Sequence, residues 1–198
     1  MSISSDSDLR FPPGTFVEEK VDPLFKYTTD YVSKEMNGGI IRNHSTTDAW
    51  YLFRKIFAVA ERKKLPVTIV TGGMREDFYN CLTDELEALI AKTVPVRAYL
   101  TEIAPADIDL SKNQFAEILS RASGENPDSY KLTGGVMQGA PKIPHVIYAG
   151  DNGLAFRLEK DPSTHAAVGS FGPLHSPLGQ VAVKQMSGYI EQIESLAK

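Results

Sequence analysis

Apolar residues between positions 45 and 100 alternate between two periods. Trp50, Phe53, Ile56, Phe57 and Ala60 recur at spacings of three and four, which predicts an amphipathic helix. Ser45, three residues before Asp48, offers a capping arrangement at its start, and the cations of Glu61-Arg62-Lys63-Lys64 suit its C-terminal end. Leu65-Pro66-Val67-Thr68-Ile69-Val70-Thr71 then has strand composition and stops at Gly72-Gly73. A second helix is expected from about Arg75, carrying Phe78, Leu82, Leu86, Leu89 and Ile90 on one side. A second strand is expected over Val94-Pro95-Val96-Arg97-Ala98-Tyr99-Leu100. A strand, a crossover helix and a strand joined by short connections imply parallel pairing, because the helix reverses the chain while burying its apolar side on the sheet.

The flanking segments extend this unit. Leu24, Tyr27 and Tyr31, followed by Val32 and Met36, predict a short helix opening at Asp22-Pro23, and Gly38-Gly39-Ile40-Ile41-Arg42-Asn43 reads as a turn into a brief strand. Asp109 or Ser111 is the expected cap of a helix bearing Phe115, Ile118 and Leu119, with Ser123-Gly124-Glu125-Asn126-Pro127 as its exit. A polar stretch through Gly134-Gly135 separates the halves. His145-Val146-Ile147-Tyr148 and residues Leu154 to Glu159 flank Gly150-Asp151-Asn152-Gly153, which predicts an antiparallel hairpin. A third strand is expected from His165 to Phe171, and a final helix after Ser176-Pro177 with Leu178, Val181, Met186, Tyr189, Ile190, Ile193 and Leu196 inward. The expected product is an α/β fold, a mixed β-sheet flanked by helices on both faces, occupying residues 15–198 as a single domain. Residues 1–14, polar and ending in Pro12-Pro13-Gly14, are expected to form a flexible lead-in.

The 198-residue length fits one core. With 21 Lys plus Arg against 25 Asp plus Glu, the net charge of -4 offers no general attraction to polyanions, so nucleic acid is not the favoured partner. The sequence contains no apolar run of membrane-spanning length, and its start lacks the order of a secretory signal, which points to a cytoplasmic protein that does not enter membranes. Cys81, alone, cannot form an internal disulfide or a multi-cysteine zinc site and reads as a buried filler.

Candidate chemistry is sparse. Walker-type GxxxxGK[ST], GxGxxG and HExxH patterns are absent, no cofactor is implied, and His44, His145, His165 and His175 lack a metal-ligand spacing. Gly72 and Gly73 stand between a strand and a helix, where backbone amides could meet an anion with Arg75 adding charge, or could simply form a turn. His44, His165 and His175 read as surface or strand-edge residues.

His145 opens a predicted strand, Asp151 lies in the turn after it, and Gly169-Ser170 falls in a later strand. This order resembles the phospholipase D superfamily over roughly residues 40 to 195. The resemblance implies a phospholipase D-like fold in which a strand-borne histidine attacks phosphorus, a histidine from a second motif serves as acid and base, and lysines stabilise phosphate. The family's lysine, two residues after the histidine, is Ile147 here; its aspartate position is Asn152, with Asp151 displaced by one; Gly172 stands where an asparagine is frequent. Catalysis by His145, Asp151, Ser170 and His175 would therefore need phosphate stabilisation from Arg75 or Arg157. The resemblance thus implies a noncatalytic binding, regulatory or assembly module, with a divergent phosphodiesterase using His145 as the alternative. Because the family brings two motifs together, it also implies a homodimer, alongside a protein or phosphate-containing ligand.

Overall fold

The computed structural model describes residues 15–35, 39–42, 45–137, 145–150, 154–160, 167–173 and 177–196. A 3-10 turn, Glu18–Lys20, leads to helix α1, Pro23–Glu35. Asp22 caps α1 by accepting the Phe25 amide at 2.8 Å. After strand β1, Gly39–Arg42, comes α2, Thr46–Lys63, whose start behaves as its sequence predicts: the Ser45 hydroxyl accepts the Asp48 amide at 3.1 Å. The buried Asp48 carboxylate accepts the Asp22 amide at 3.0 Å, so the cap of α2 also fixes the start of α1. At the other end Lys64 takes a left-handed conformation, φ 53°, and its amide returns to the Ala60 and Glu61 carbonyls.

Strand β2, Val67–Thr71, follows. The single helix expected after it is broken into α3, Glu76–Tyr79, a 3-10 turn at Asn80–Leu82, and α4, Thr83–Ala91. Asn80 is held from outside, its amide donating to the Lys112 carbonyl at 2.8 Å and its oxygen accepting the Phe115 amide at 3.4 Å, which pins the chain at the break. Strand β3 is Val96–Leu100, starting two residues later than its composition suggests, and α5 is Gln114–Glu125. The cap of α5 is Asn113, which accepts the Ala116 amide at 3.0 Å. Asp109 instead closes a local turn on the Ser111 amide and hydroxyl.

Strand β4, Tyr130–Gly134, lies within the stretch read as a polar separator. Strands β5, His145–Ala149, and β6, Leu154–Lys160, form the expected antiparallel pair, and β7 is Ala167–Pro173. Helix α6, Pro177–Leu196, closes the fold. The lead-in of residues 1–14, His44, the hairpin residues 151–153, His165 and residues 174–176, with His175 and the Ser176 cap, lie outside the described residues.

The seven strands run in the order β1-β7-β6-β5-β2-β3-β4. β2, β3 and β4 are parallel, and every other pairing is antiparallel. One face carries a large core in which Leu52, Phe53, Ile56 and Phe57 of α2, Leu86 and Leu89 of α4, and Phe115 and Leu119 of α5 meet Val67, Ile69, Val96, Ala98 and Ile147 of the sheet. The opposite face is covered by α6, where Met186 and Ile193 pack with Val70, Tyr99 and Val146. Side chains alternate across a strand with period two, so one five-residue strand serves both cores. Cys81 is buried as expected, and desolvation pushes its thiol pKa up to about 11.

Candidate functional site

The parallel strands β2, β3 and β4 end at one rim, and the loops that leave them are laced together. The Thr101 and Glu102 amides donate to the Thr71 and Gly72 carbonyls at 3.0 and 2.8 Å. The Gly135 and Met137 amides donate to the Leu100 and Thr101 carbonyls at 3.1 and 3.0 Å. Gly134 must be glycine here, since a Cβ would stand 2.5 Å from the Leu100 Cβ and 2.7 Å from the Ile103 carbonyl. Asn113, buried, ties α5 to the same rim by donating to the Met74 carbonyl at 2.6 Å.

β5 runs antiparallel to β2, and Val146 pairs with Val70. His145 precedes Val146 and Thr71 follows Val70, so the start of β5 lies at the rim where β2 ends. The sheet changes there from parallel to antiparallel, and ligand sites of open α/β sheets lie outside the carboxyl ends of the parallel strands. The fold therefore brings His145, Gly72, Gly73 and Arg75, read separately from the sequence, to one end of the sheet.

The surroundings of the glycine turn were not legible from sequence. The Glu102 carboxylate lies over Gly72, its Cδ 2.8 Å from where a Cβ would be, so the missing side chain makes room for an acid of the same chain. Arg75 is paired with Asp77, and this contact raises the guanidinium pKa and lowers that of the carboxyl. The turn thus presents a carboxylate beside its backbone and a cation already matched by a neighbour.

Arg157 and Ser170 pair with each other, and Arg157 also pairs with Val146. They stand in the rung of Val146, Val70 and Tyr99, the residues packed beneath α6. His145 stands one rung away, paired with Leu158, which pairs with Gly169. His145 and Ser170 consequently belong to alternate sets of sheet positions. Asp151 and His175 lie outside the described residues. Ile147, at the family's lysine position, is 0% exposed in the main core.

A second concave feature arises between α2, α4 and the segment before α1. It is a groove of about 390 Å³ lined by Phe16, Tyr51, Arg54, Lys55, Asp84 and Glu85, among others. Arg54 fills one wall, bound to Glu85 at 2.9 Å and to the Cys81 carbonyl at 3.0 Å, with the Phe16 ring 4.3 Å from its guanidinium carbon. Tyr51 donates to Asp30 at 2.7 Å; burial and this hydrogen bond both push its pKa up. Arg54 and Lys55 are thus paired within the chain, with Glu85 and Asp30. Among the described residues no group of three or more His, Cys, Asp or Glu is placed to hold a metal, and no helix is long and apolar enough to cross a membrane.

No protein-family model and no curated protein matches the chain. A match does occur among solved structures, with TrmBL2, an archaeal chromatin protein showing a novel mode of DNA binding, at a TM-score of 0.51 and 10% identity over 86% of this chain. The likeness shows a shared fold. The helix-flanked mixed sheet expected from the hydrophobic pattern is the architecture shared with that structure, and the chain spans 61% of the length of TrmBL2. The match corrects one expectation. Net acidity had disfavoured nucleic acid as a partner, yet TrmBL2, which shares this fold, binds DNA. Net charge is an average, whereas binding depends on local charge; Arg62, Lys63 and Lys64 form an exposed basic run at the end of α2 inside an acidic chain.

Proposed function

We propose that the chain is a noncatalytic phospholipase D-like binding module acting in regulation or assembly. The observation that carries this reading is Ile147, fully buried among the apolar residues of the main core where the family's phosphate-stabilising lysine belongs. A cation there would be desolvated without a partner, so that position contributes packing instead of charge. The Arg157–Ser170 rung, one position away from His145, does not replace it by register.

Nucleic acid is the ligand class to test first, by analogy of fold with TrmBL2. On this chain its phosphates would meet Arg62, Lys63 and Lys64, exposed at the end of α2, with Lys92 exposed at the end of the adjacent α4. Three to four such contacts give a slope of about -3 in log affinity against log salt.

The full chain should be titrated with a labelled DNA duplex over a range of salt, and assayed in parallel against a chromogenic phosphodiester with His145→Ala as control. Binding that weakens with that slope and is lost in Arg62→Glu/Lys63→Glu/Lys64→Glu, without His145-dependent hydrolysis, supports the reading. Phosphodiester hydrolysis abolished by His145→Ala overturns it.

A further inference from the structure

Three of the six large apolar side chains exposed among the described residues, Leu24, Tyr27 and Tyr31, lie on one helix. Leu24, Tyr27 and Tyr31 of α1 are 72%, 70% and 54% exposed, at spacings of three and four that align them in a single stripe. The other side of the same helix is anchored: Phe25 is buried in the main core and Thr29 is fully buried. The stripe is therefore held outward by a fixed helix. Two tyrosines and a leucine so exposed offer on the order of 400 Å² of contact surface per copy, about half of what a standard interface buries on each side.

The stripe is also placed beside the end of the sheet. α1 passes into β1 through three residues and touches it; β1 is the terminal strand of the sheet, and among the described residues it pairs with β7 alone. An open strand edge presents backbone donors and acceptors that a second chain can meet.

We infer that two copies of this chain associate through α1, the Leu24–Tyr27–Tyr31 stripes packing antiparallel about a two-fold axis near Tyr27 and Thr28. Charge selects both the occupant and the direction. Antiparallel pairing sets Leu24 beside the partner's Tyr31, brings the exposed Lys34 at the end of each helix toward the exposed Glu19 ahead of the other, and opposes the two helix dipoles; parallel pairing would stack Lys34 on Lys34. A surface that complements itself in shape and charge is what a two-fold interface requires. This interface lies on α1, away from the His145 rim through which the family resemblance implies dimerisation, and it does not depend on the proposed binding function.

Sedimentation velocity of the full chain across low to high micromolar concentration tests it. The expected result is a concentration-dependent dimer whose Kd rises about a hundredfold or more in Tyr27→Glu/Tyr31→Glu, with circular dichroism and thermal midpoint unchanged because both side chains are exposed. Thr28→Cys should form an interchain disulfide on mild oxidation, the native Cys81 being buried. A chain that stays monomeric at high concentration overturns the inference, whether the stripe is then bare or taken by a different partner. A dimer that survives Tyr27→Glu/Tyr31→Glu, or whose Thr28→Cys variant does not cross-link, overturns it equally.

Discussion

The face of the sheet beneath α2, α4 and α5 is sealed by three helices whose aromatic and aliphatic side chains form one continuous core, whereas among the described residues the opposite face is packed against α6 through Met186 and Ile193. Beside that cluster lies a polar network, in which Glu194 accepts from Lys131 at 2.6 Å and from the Tyr99 hydroxyl at 3.3 Å. The same strands feed both faces, so the contrast is set by what each face is packed against. Among the described residues, three helices pack on one face, and one helix with a half-exposed network at its edge packs on the other. Ile147 points into the dense core, where an aliphatic residue contributes more than a charge can.

The strongest test of this contrast places a charge in the dense core. Ile147→Lys should cost on the order of 4 kcal/mol or more, because an unpaired ammonium enters a close-packed apolar interior. Tyr148→Lys, one position along on the side of the α6 cluster and only partly buried, should cost much less. Urea denaturation of both variants measures the difference; equal costs would mean that the two faces are equally dense.

A smaller effect compares truncations on each side. Leu86→Ala, beneath three helices, should lie toward the upper end of the usual range, about 4 kcal/mol, because the surroundings cannot collapse into the space left. Ile193→Ala, on α6, should cost about 2 kcal/mol, since a single flanked helix can shift toward the sheet. A reversed order in denaturant midpoints would remove the distinction.

The legibility of the chain follows the same division. The helices and strands from Ser45 to Leu100 could be read because two hydrophobic periods alternate cleanly there and the core they feed is thick. β4 escaped because Tyr130-Lys131-Leu132-Thr133-Gly134 has too few apolar residues to distinguish a strand that gains its order from pairing with β3. The interruption between α3 and α4 depends on Asn80 meeting Lys112 and Phe115, contacts more than thirty positions distant. Asp109, Ser111 and Asn113 all have capping chemistry, and Asn113 was selected by its second bond, to Met74. At the rim, Gly72, Gly73 and His145 could be picked out individually. Their meeting at one sheet end follows from antiparallel pairing of β5 with β2, and the Glu102 carboxylate over Gly72 follows from β3 lying beside β2, neither of which local sequence encodes.

The smallest expected effect isolates the polar edge of the α6 side. Lys131, through its hydrogen bond, holds the Glu194 carboxyl below its ordinary pKa against a smaller desolvation effect of opposite sign, and the Tyr99 contact adds to the lowering. The same neighbourhood acts oppositely on Tyr99, whose pKa is pushed up to about 12, chiefly by burial and then by the Glu194 charge. A carboxyl depressed in the folded state contributes stability that is present above its unfolded pKa and is lost as pH falls through the folded one. Protonating Glu194 should therefore weaken the attachment of α6 on the acid side of the ordinary glutamate range and leave it unchanged from there to neutrality. Both Lys131 and Glu194 are more than one-third exposed, so solvent screening limits the contribution to under about 1 kcal/mol. Glu194→Gln should lose that amount at neutral pH, flatten the acid limb of the stability profile and narrow the gap to the wild type in high salt. Hydrogen exchange along α6 at neutral and acidic pH provides the local readout, and identical profiles for wild type and Glu194→Gln would assign the hold on α6 to its apolar contacts, Met186 and Ile193 among them.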